Sequence, residues 1–297
     1  MSYKIVTDGS CDLSNEIVNK NNLTVVPFYV SFDEQTYKKE KVELDIREFY
    51  QYIVDNPTVF PKTSLPSAQD YIDVFEPIIK NGEDILCICI STKFSGSYNS
   101  ATNAKDILLE TYPNANIEVI DATVNTVLQG ILVEEAVRMK ENGLTLKEAV
   151  DNINRIKATG RIIFTVGNLD YLIHGGRIGK VMGKASNTLG IKPLIILKEG
   201  EIFSNGIARG RKRAIQKLLE QLQEHFTEVN ENPDNYRIVI GFGYDYEEAL
   251  HFREELLQSL SKYSNIKDVD IYQIGATIAV HTGPYPIGVG LIKKYDA

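Results

Sequence analysis

The sequence predicts an α/β protein of two lobes, a mostly parallel-sheet lobe followed by an α+β lobe with a mixed or antiparallel sheet. Two observations predict it. In the first half, short β-rich apolar runs alternate with segments of helical periodicity, the pattern of a parallel sheet covered by helices on both faces. In the second half, strand-like runs come in pairs with long helices interleaved, and Lys198-Glu199-Gly200 between two of them is a hairpin signal.

In the first half, strands are expected at 4–7, 24–32, 85–91 and 117–120. Helices are expected at 13–21, 46–54, 68–80, 98–111, 127–142 and 146–158. Asp45 precedes one apolar-periodic run, and Ser67 followed by Asp70 is a capping-box pattern. Asn81-Gly82 and Asn142-Gly143 are stop signals. In the second half, strands are expected at 162–166, 191–197, 201–203, 238–242, 269–274 and 288–292, with helices at 208–225 and 246–261. The lobe boundary falls near 155–162, giving lobes of 1–158 and 159–297.

Composition narrows the function classes. The chain has 297 residues, 43% of them hydrophobic and 24% charged, as in an ordinary globular protein. A formal charge of -8 argues against nucleic acid or an anionic membrane surface as the main partner. No run approaches the ~18 apolar residues of a membrane span. The opening residues lack the basic and apolar regions of a signal peptide, so a cytoplasmic chain without stable membrane insertion is expected. The three cysteines, Cys11, Cys87 and Cys89, are expected to be reduced. Strand alternation puts Cys87 and Cys89 on one face, as core residues rather than metal ligands.

Three Ser/Thr/Gly-rich loops stand out in the first lobe, at 7–14, 62–67 and 91–98. Each ends at an expected helix N-terminus, where unpaired N–H groups and a partial positive charge favour an anion. In an open α/β sheet, ligands sit beyond the carboxyl ends of the strands. Thr63 and Ser95 offer hydroxyl donors to a carboxylate, and Gly96 lets backbone approach it closely. Capping and turn chemistry is the better explanation of any one such loop, and only the three together bring the two readings level.

The second lobe adds Gly175-Gly176-Arg177, the basic run 209–213, and His281 in a Gly-containing tail. Arg177 reads either as a solvated loop cation or as part of a site. The run 209–213 reads as a solvated face or a docking patch. Walker A, dinucleotide-binding, His-Glu-x-x-His and Gly-x-Ser-x-Gly motifs are missing. Ser95 with His281 is the one conceivable nucleophile–base pair, which gives a Ser-dependent acyl hydrolase as the alternative. A nucleic-acid-binding regulator using 209–213 is a third reading, against the net charge.

Taken in order, residues 4–13 with Thr7-Asp8-Gly9-Ser10, Thr63-Ser64-Leu65-Pro66-Ser67, Ser95-Gly96-Ser97-Tyr98, Gly175-Gly176-Arg177-Ile178, Ala208-Arg209-Gly210 and His281-Thr282-Gly283-Pro284 resemble the DegV family. The likeness spans residues 3–292. It implies the DegV fold, with a long-chain fatty acid in a cleft between the lobes as ligand and no cofactor or metal. It also implies a non-catalytic role, like the acyl-binding subunit of bacterial fatty-acid kinase. Such a subunit presents the acid to a separate ATP-dependent kinase that forms acyl-phosphate for phospholipid synthesis. By this similarity Thr63, Ser95 and Gly96 match the carboxylate site. Arg177, Arg209 and His281 match positions near the carboxylate or the kinase contact. The departure is Pro284-Tyr285-Pro286, where the family often has Pro-Gly.

Overall fold

The structure is a computed structural model and describes residues 3–181 and 190–297, so Met1 and Ser2 of the opening segment lie outside it. The chain begins β1 (Tyr3–Asp8), α1 (Asn15–Lys20), β2 (Thr24–Val26), β3 (Tyr29–Ser31), β4 (Lys38–Lys39), α2 (Ile46–Asp55) and β5 (Lys62–Ser64). It continues α3 (Ala68–Lys80), β6 (Asp84–Cys89), α4 (Ser97–Thr111), β7 (Ile117–Asp121), α5 (Thr126–Glu141) and α6 (Leu146–Ile156). The second half runs β8 (Arg161–Thr165), α7 (Asp170–His174), β9 (Ile191–Lys198), β10 (Glu201–Arg209) and α8 (Arg211–Val229). It ends β11 (Tyr236–Phe242), α9 (Tyr246–Leu260), β12 (Asp270–Gln273), α10 (Ala276–Thr282) and β13 (Ile287–Lys293).

The first sheet is parallel, in the order β2-β1-β6-β7. The second is mixed, in the order β10-β9-β8-β13-β11-β12, with β11 and β12 its parallel pair. Both agree with the expected fold class. Buried side chains stack the elements in layers. Tyr71 and Phe75 of α3 with Ala101 and Ala104 of α4 cover one face of the first sheet, against Val6, Ile85, Cys87 and Cys89. The two thiols therefore do share a face, with their sulfurs 3.6 Å apart.

The other face of that sheet packs on α5 and α6, and the far side of α5 packs on the second sheet. Sandwiched in this way, α5 buries both sides, which is why its sequence carries little amphipathic contrast. One hydrophobic core thus runs from Ile5 and Leu86 through Leu128 and Ile131 to Ile195 and Leu197. Leu218, Leu222 and Phe226 of α8 with Phe252 and Leu256 of α9 close the outer face of the second sheet. Among the described residues, no helix is long and apolar enough to cross a membrane.

Local signals placed several boundaries well. Ser67 and Thr145 head α3 and α6 in complete capping boxes with Asp70 and Glu148. Asp45 accepts from the N–H groups of Arg47 and Glu48 at the start of α2. Gly82 and Gly143 take φ of 76° and 80° just past α3 and α5.

Four expectations are corrected. The run 24–32 is two strands, because Pro27 has no N–H for the ladder. Its second part, β3, joins β4 and β5 in a separate antiparallel sheet. Residues 62–64, expected as a loop, form β5 of that sheet. The strand expected at 201–203 continues to Arg209 past an irregularity between Ser204 and Ile207. The following helix therefore starts at Arg211, not 208. Finally, the tail around His281 is helix α10, which packs Ala276, Ala279 and Val280 against Val30, Phe49 and Ile53.

Candidate functional site

A hollow of about 210 Å³ lies between the two sheets. Thr63, Ser95, Arg177 and His281 line it together, bringing four of the six expected site residues to one place. Thr63 comes from β5, Ser95 from the loop after β6, Arg177 from the loop after α7 and His281 from α10. Gly96 stands beside Ser95 on the neighbouring rim, in an outer groove with Lys93, Arg177 and Lys180. Arg209 is exposed at the end of β10 and does not line the hollow. Within the basic run, Arg211 makes a two-pronged ion pair with Glu248, and Arg213 pairs with Glu220. Those two cations serve local structure.

The inner end of the hollow adjoins a second chamber of about 50 Å³. Asn125, Phe164, Ile202, Ile278 and Thr282 line both, so the two form one path. Val127, Ile162, Leu197 and Ile274 make the second chamber apolar. Its floor is bare backbone, where Gly241 of β11 pairs directly with Gly288 of β13. The path therefore runs from a polar rim to an apolar inner chamber. A larger open groove of about 740 Å³ lies elsewhere, between Asp12, Glu16, Lys41, Glu43 and Asp45. It mixes these charged groups with Ile17, Leu44 and Ile271, and none of the expected site residues lines it.

His281 is the most constrained member. Its Nε2 lies 3.5 Å from Thr63 Oγ1, the limit of hydrogen-bond reach, and its Nδ1 has no partner. Burial, with Arg177 and Lys62 nearby, lowers its pKa to about 4, so the ring is neutral at pH 7. The ring rests on Gly175, where a β-carbon would stand 2.1 Å from Nδ1. That contact explains the first glycine of Gly175-Gly176-Arg177. Tyr285, the departure noted in the sequence, stays exposed at the surface. Before it, Gly283 takes φ 74° against the Tyr171 ring. Arg177 donates from Nε and Nη2 to the Phe94 carbonyl and from Nη1 to that of Gly175. It thus clamps the residue beside Ser95 to the second lobe. Ser91 Oγ adds a second tie, donating to the Gly200 carbonyl in the β9–β10 turn.

The loop at 7–14 has a different place from the one its composition suggested. Asp8 is wholly buried beneath the Ser95 loop. Its Oδ2 accepts from the Ile90 N–H at 2.9 Å and Ser97 Oγ at 2.8 Å. Its Oδ1 accepts from Ser10 Oγ and Gln129 Nε2. Burial raises this carboxyl's pKa, and the four donors oppose the rise. Thr7, Asp8 and Ser10 therefore brace the site from behind. Sequence reasoning missed the apolar lining, because Phe164, Ile202 and Ile278 look like any core residue until the sheets are placed.

A family model described as "Uncharacterised protein, DegV family" matches residues 2–294. The chain belongs to the DegV family. A DegV domain-containing protein from Lactococcus lactis is 31% identical over 99% of both chains. A solved fatty-acid (stearic acid)-binding protein from Eubacterium ventriosum is 47% identical, with TM-score 0.93 over 99% of both chains. A DegV structure from Thermus thermophilus, described by its fatty-acid binding, is 27% identical with TM-score 0.86, covering 99% of this chain and all of that one. This DegV chain thus shares its whole architecture with proteins that hold fatty acids. Among its described residues, no cluster of three or more His, Cys, Asp or Glu is placed to hold a metal.

Proposed function

We propose that this chain binds a long-chain fatty acid between its lobes and presents the carboxylate to a separate ATP-dependent kinase. The kinase product would be the acyl-phosphate, feeding phospholipid synthesis. The observation that carries this reading is the path itself: hydroxyls of Thr63 and Ser95 at a polar rim, then an apolar chamber between the sheets. The fatty-acid-binding relatives support the same ligand class. Burying an acyl chain of ~16 carbons contributes on the order of ten kcal/mol at about 0.8 per methylene, before the cost of association. The carboxylate needs donors if it leaves water, and Thr63, Ser95 and the backbone at Gly96 offer them. The rim groove beside Ser95 carries Lys93 and Arg177, with Lys180 paired to Glu201, which leaves a net-positive approach for a phosphoryl donor.

The hydrolase alternative finds less support. His281 faces Thr63 rather than Ser95, and no carboxylate orients its Nδ1. The deciding experiment is mass spectrometry of lipid extracted from the purified protein, with melting before and after added acid. A co-purified long-chain acid and a rise in melting temperature are expected. Neither appearing would end the carrier reading, and turnover of acyl esters by the chain alone would revive the hydrolase.

A further inference from the structure

Behind the acyl path, away from the rim, two carboxyl groups meet in the interior. Asp12 and Glu40 are each 3% exposed. Thr126 Oγ1 donates to Asp12 Oδ2 at 2.5 Å, and Thr277 Oγ1 donates to Glu40 Oε2. The remaining oxygens, Asp12 Oδ1 and Glu40 Oε1, have no side-chain partner, and the backbone N–H groups at the start of α10 lie nearest the two carboxyls. Both lie against Gly275. A β-carbon on Gly275 would stand 2.3 Å from Glu40 Oε1 and 2.5 Å from Asp12 Oδ1. Two carboxylates buried beside one glycine, with a single cation near them, cannot both stay charged at ordinary cost. We propose that Asp12 and Glu40 share one proton, and that this proton is the tie by which α10 and the start of α5 hold the wall of the acyl path. The proposal rests on the fatty-acid reading of that path.

The tie reaches the path through both of its hydroxyl partners. Thr277 lies on α10, which supplies Ile278, His281 and Thr282 to the path. Thr126 follows Asn125, which lines both chambers. Thr126 is β-branched yet has φ 49°, and Asp12 has φ 55°. Such backbone persists only where its surroundings enforce it, and the Thr126–Asp12 hydrogen bond joins the two strained residues. Asp12 and Glu40 are therefore positioning residues, remote from the ligand.

The groups facing the pair leave room for one proton. Lys41 is the near cation and draws both carboxyls down, but its Nζ is engaged with the Leu13 carbonyl at 2.8 Å. The N–H groups of Gly275, Ala276 and Thr277 pull in the same direction. Cys11, its thiol pushed up to about 12, and Tyr50, bonded to the Ile274 carbonyl, stay neutral; Arg47 lies beyond Tyr50. Burial outweighs the downward pulls and, with Glu40 adjoining, sets the Asp12 carboxyl at about 7; Glu40 is also raised. A carboxyl raised in the closed arrangement holds it best at low pH. The tie weakens as pH climbs from the usual carboxylate range and is lost above about 7.

The test follows the carboxyl signals of ¹³C-labelled protein through a pH titration and, on the same samples, the rate at which bound stearate leaves for phospholipid vesicles. One carboxyl is expected to titrate near pH 7, and release is expected to quicken about tenfold between pH 6 and 8. His281 is neutral throughout that window. In Asp12→Asn and in Glu40→Gln an amide donates permanently to the remaining carboxylate, so release should lose its pH dependence. The idea is overturned if no carboxyl titrates between pH 5.5 and 8.5, or if both amide variants keep the wild-type pH profile. Burial raises Asp8 and Glu134 as well, so the titrating signal is assigned by residue; if neither variant folds, the titration assigned to Asp12 or Glu40 in the wild type decides alone. If stearate does not bind at all, the carrier reading fails while the carboxyl titration still judges the shared proton.

Discussion

Thr63 Oγ1 faces His281 Nε2 at 3.5 Å, joining the edge of the small antiparallel sheet to α10 across 218 positions of sequence. This contact brings the rim of the path together from both halves of the chain. It also decides which rim substitutions act on ligand binding and which act on folding.

Thr63→Ala and Ser95→Ala should each weaken fatty-acid binding by roughly 1.5–3 kcal/mol, the worth of a hydrogen bond to a charged group. Both side chains are only partly buried, so melting of the free protein should change little. Isothermal titration with a single acid reads the loss, and unchanged affinity in the double variant would return both residues to turn chemistry.

Gly175→Ala should behave like loss of His281. A methyl group 2.1 Å from Nδ1 has no room, so the ring must leave Thr63. Affinity should fall in step with His281→Ala, and adding the second change to the first should cost little more. Independent, additive losses would show that Gly175 serves only its own turn.

At the inner end, Gly241→Ala puts a methyl 3.1 Å from Val127 Cγ2 and 3.5 Å from Ile274 Cδ1, both in the inner chamber's wall. The longest acids should lose affinity while shorter ones bind as before. Val127→Ala should shift preference the other way. Lipid profiling after competition among acids of graded length checks both, and a uniform loss at every length would place the tail elsewhere.

The His281 ring predicts an acid-side limit. Its pKa is lowered to about 4, below the ordinary histidine value of 6.5, so its neutral form contributes stability above 6.5 that is lost as pH falls through 4. The ring is partly accessible in the folded surface, so the effect is discounted to roughly 1–2 kcal/mol. Denaturant unfolding of wild type and His281→Gln between pH 4 and 7 should show the smaller slope in the variant.

How much of this was legible in sequence follows from the range of the forces involved. The helix start at Ser67 was legible because its capping box is complete within four residues, and the same signal at Thr145 and Glu148 went unread. The two sheets were legible from the change in strand and helix pattern. Strand β5 was not, because Lys62, Thr63 and Ser64 have no periodicity of their own and are strand only through pairing with β3. Helix α10 escaped because its Gly275 start bears no side-chain cap, and its seven residues are held by packing on α2 and β3. Motif order singled out Thr63, Ser95, Arg177 and His281, but the apolar path between them depends on layering that single residues do not announce.

The placement of α5 has a mechanical consequence. Leu128, Ile131 and Leu132 belong to one core with strands of both sheets, and Gln129 reaches Asp8 beneath the Ser95 loop. Swinging one sheet away from the other would tear that core along the whole length of the helix. A hydrophobic guest must instead slip past the short rim elements, α7 and α10, while the sheets stay fixed. Slow exit is then a local matter of how often a seven-residue helix yields. Backbone amides in α10 should exchange with deuterium far sooner than those of α5, with bound acid closing that gap.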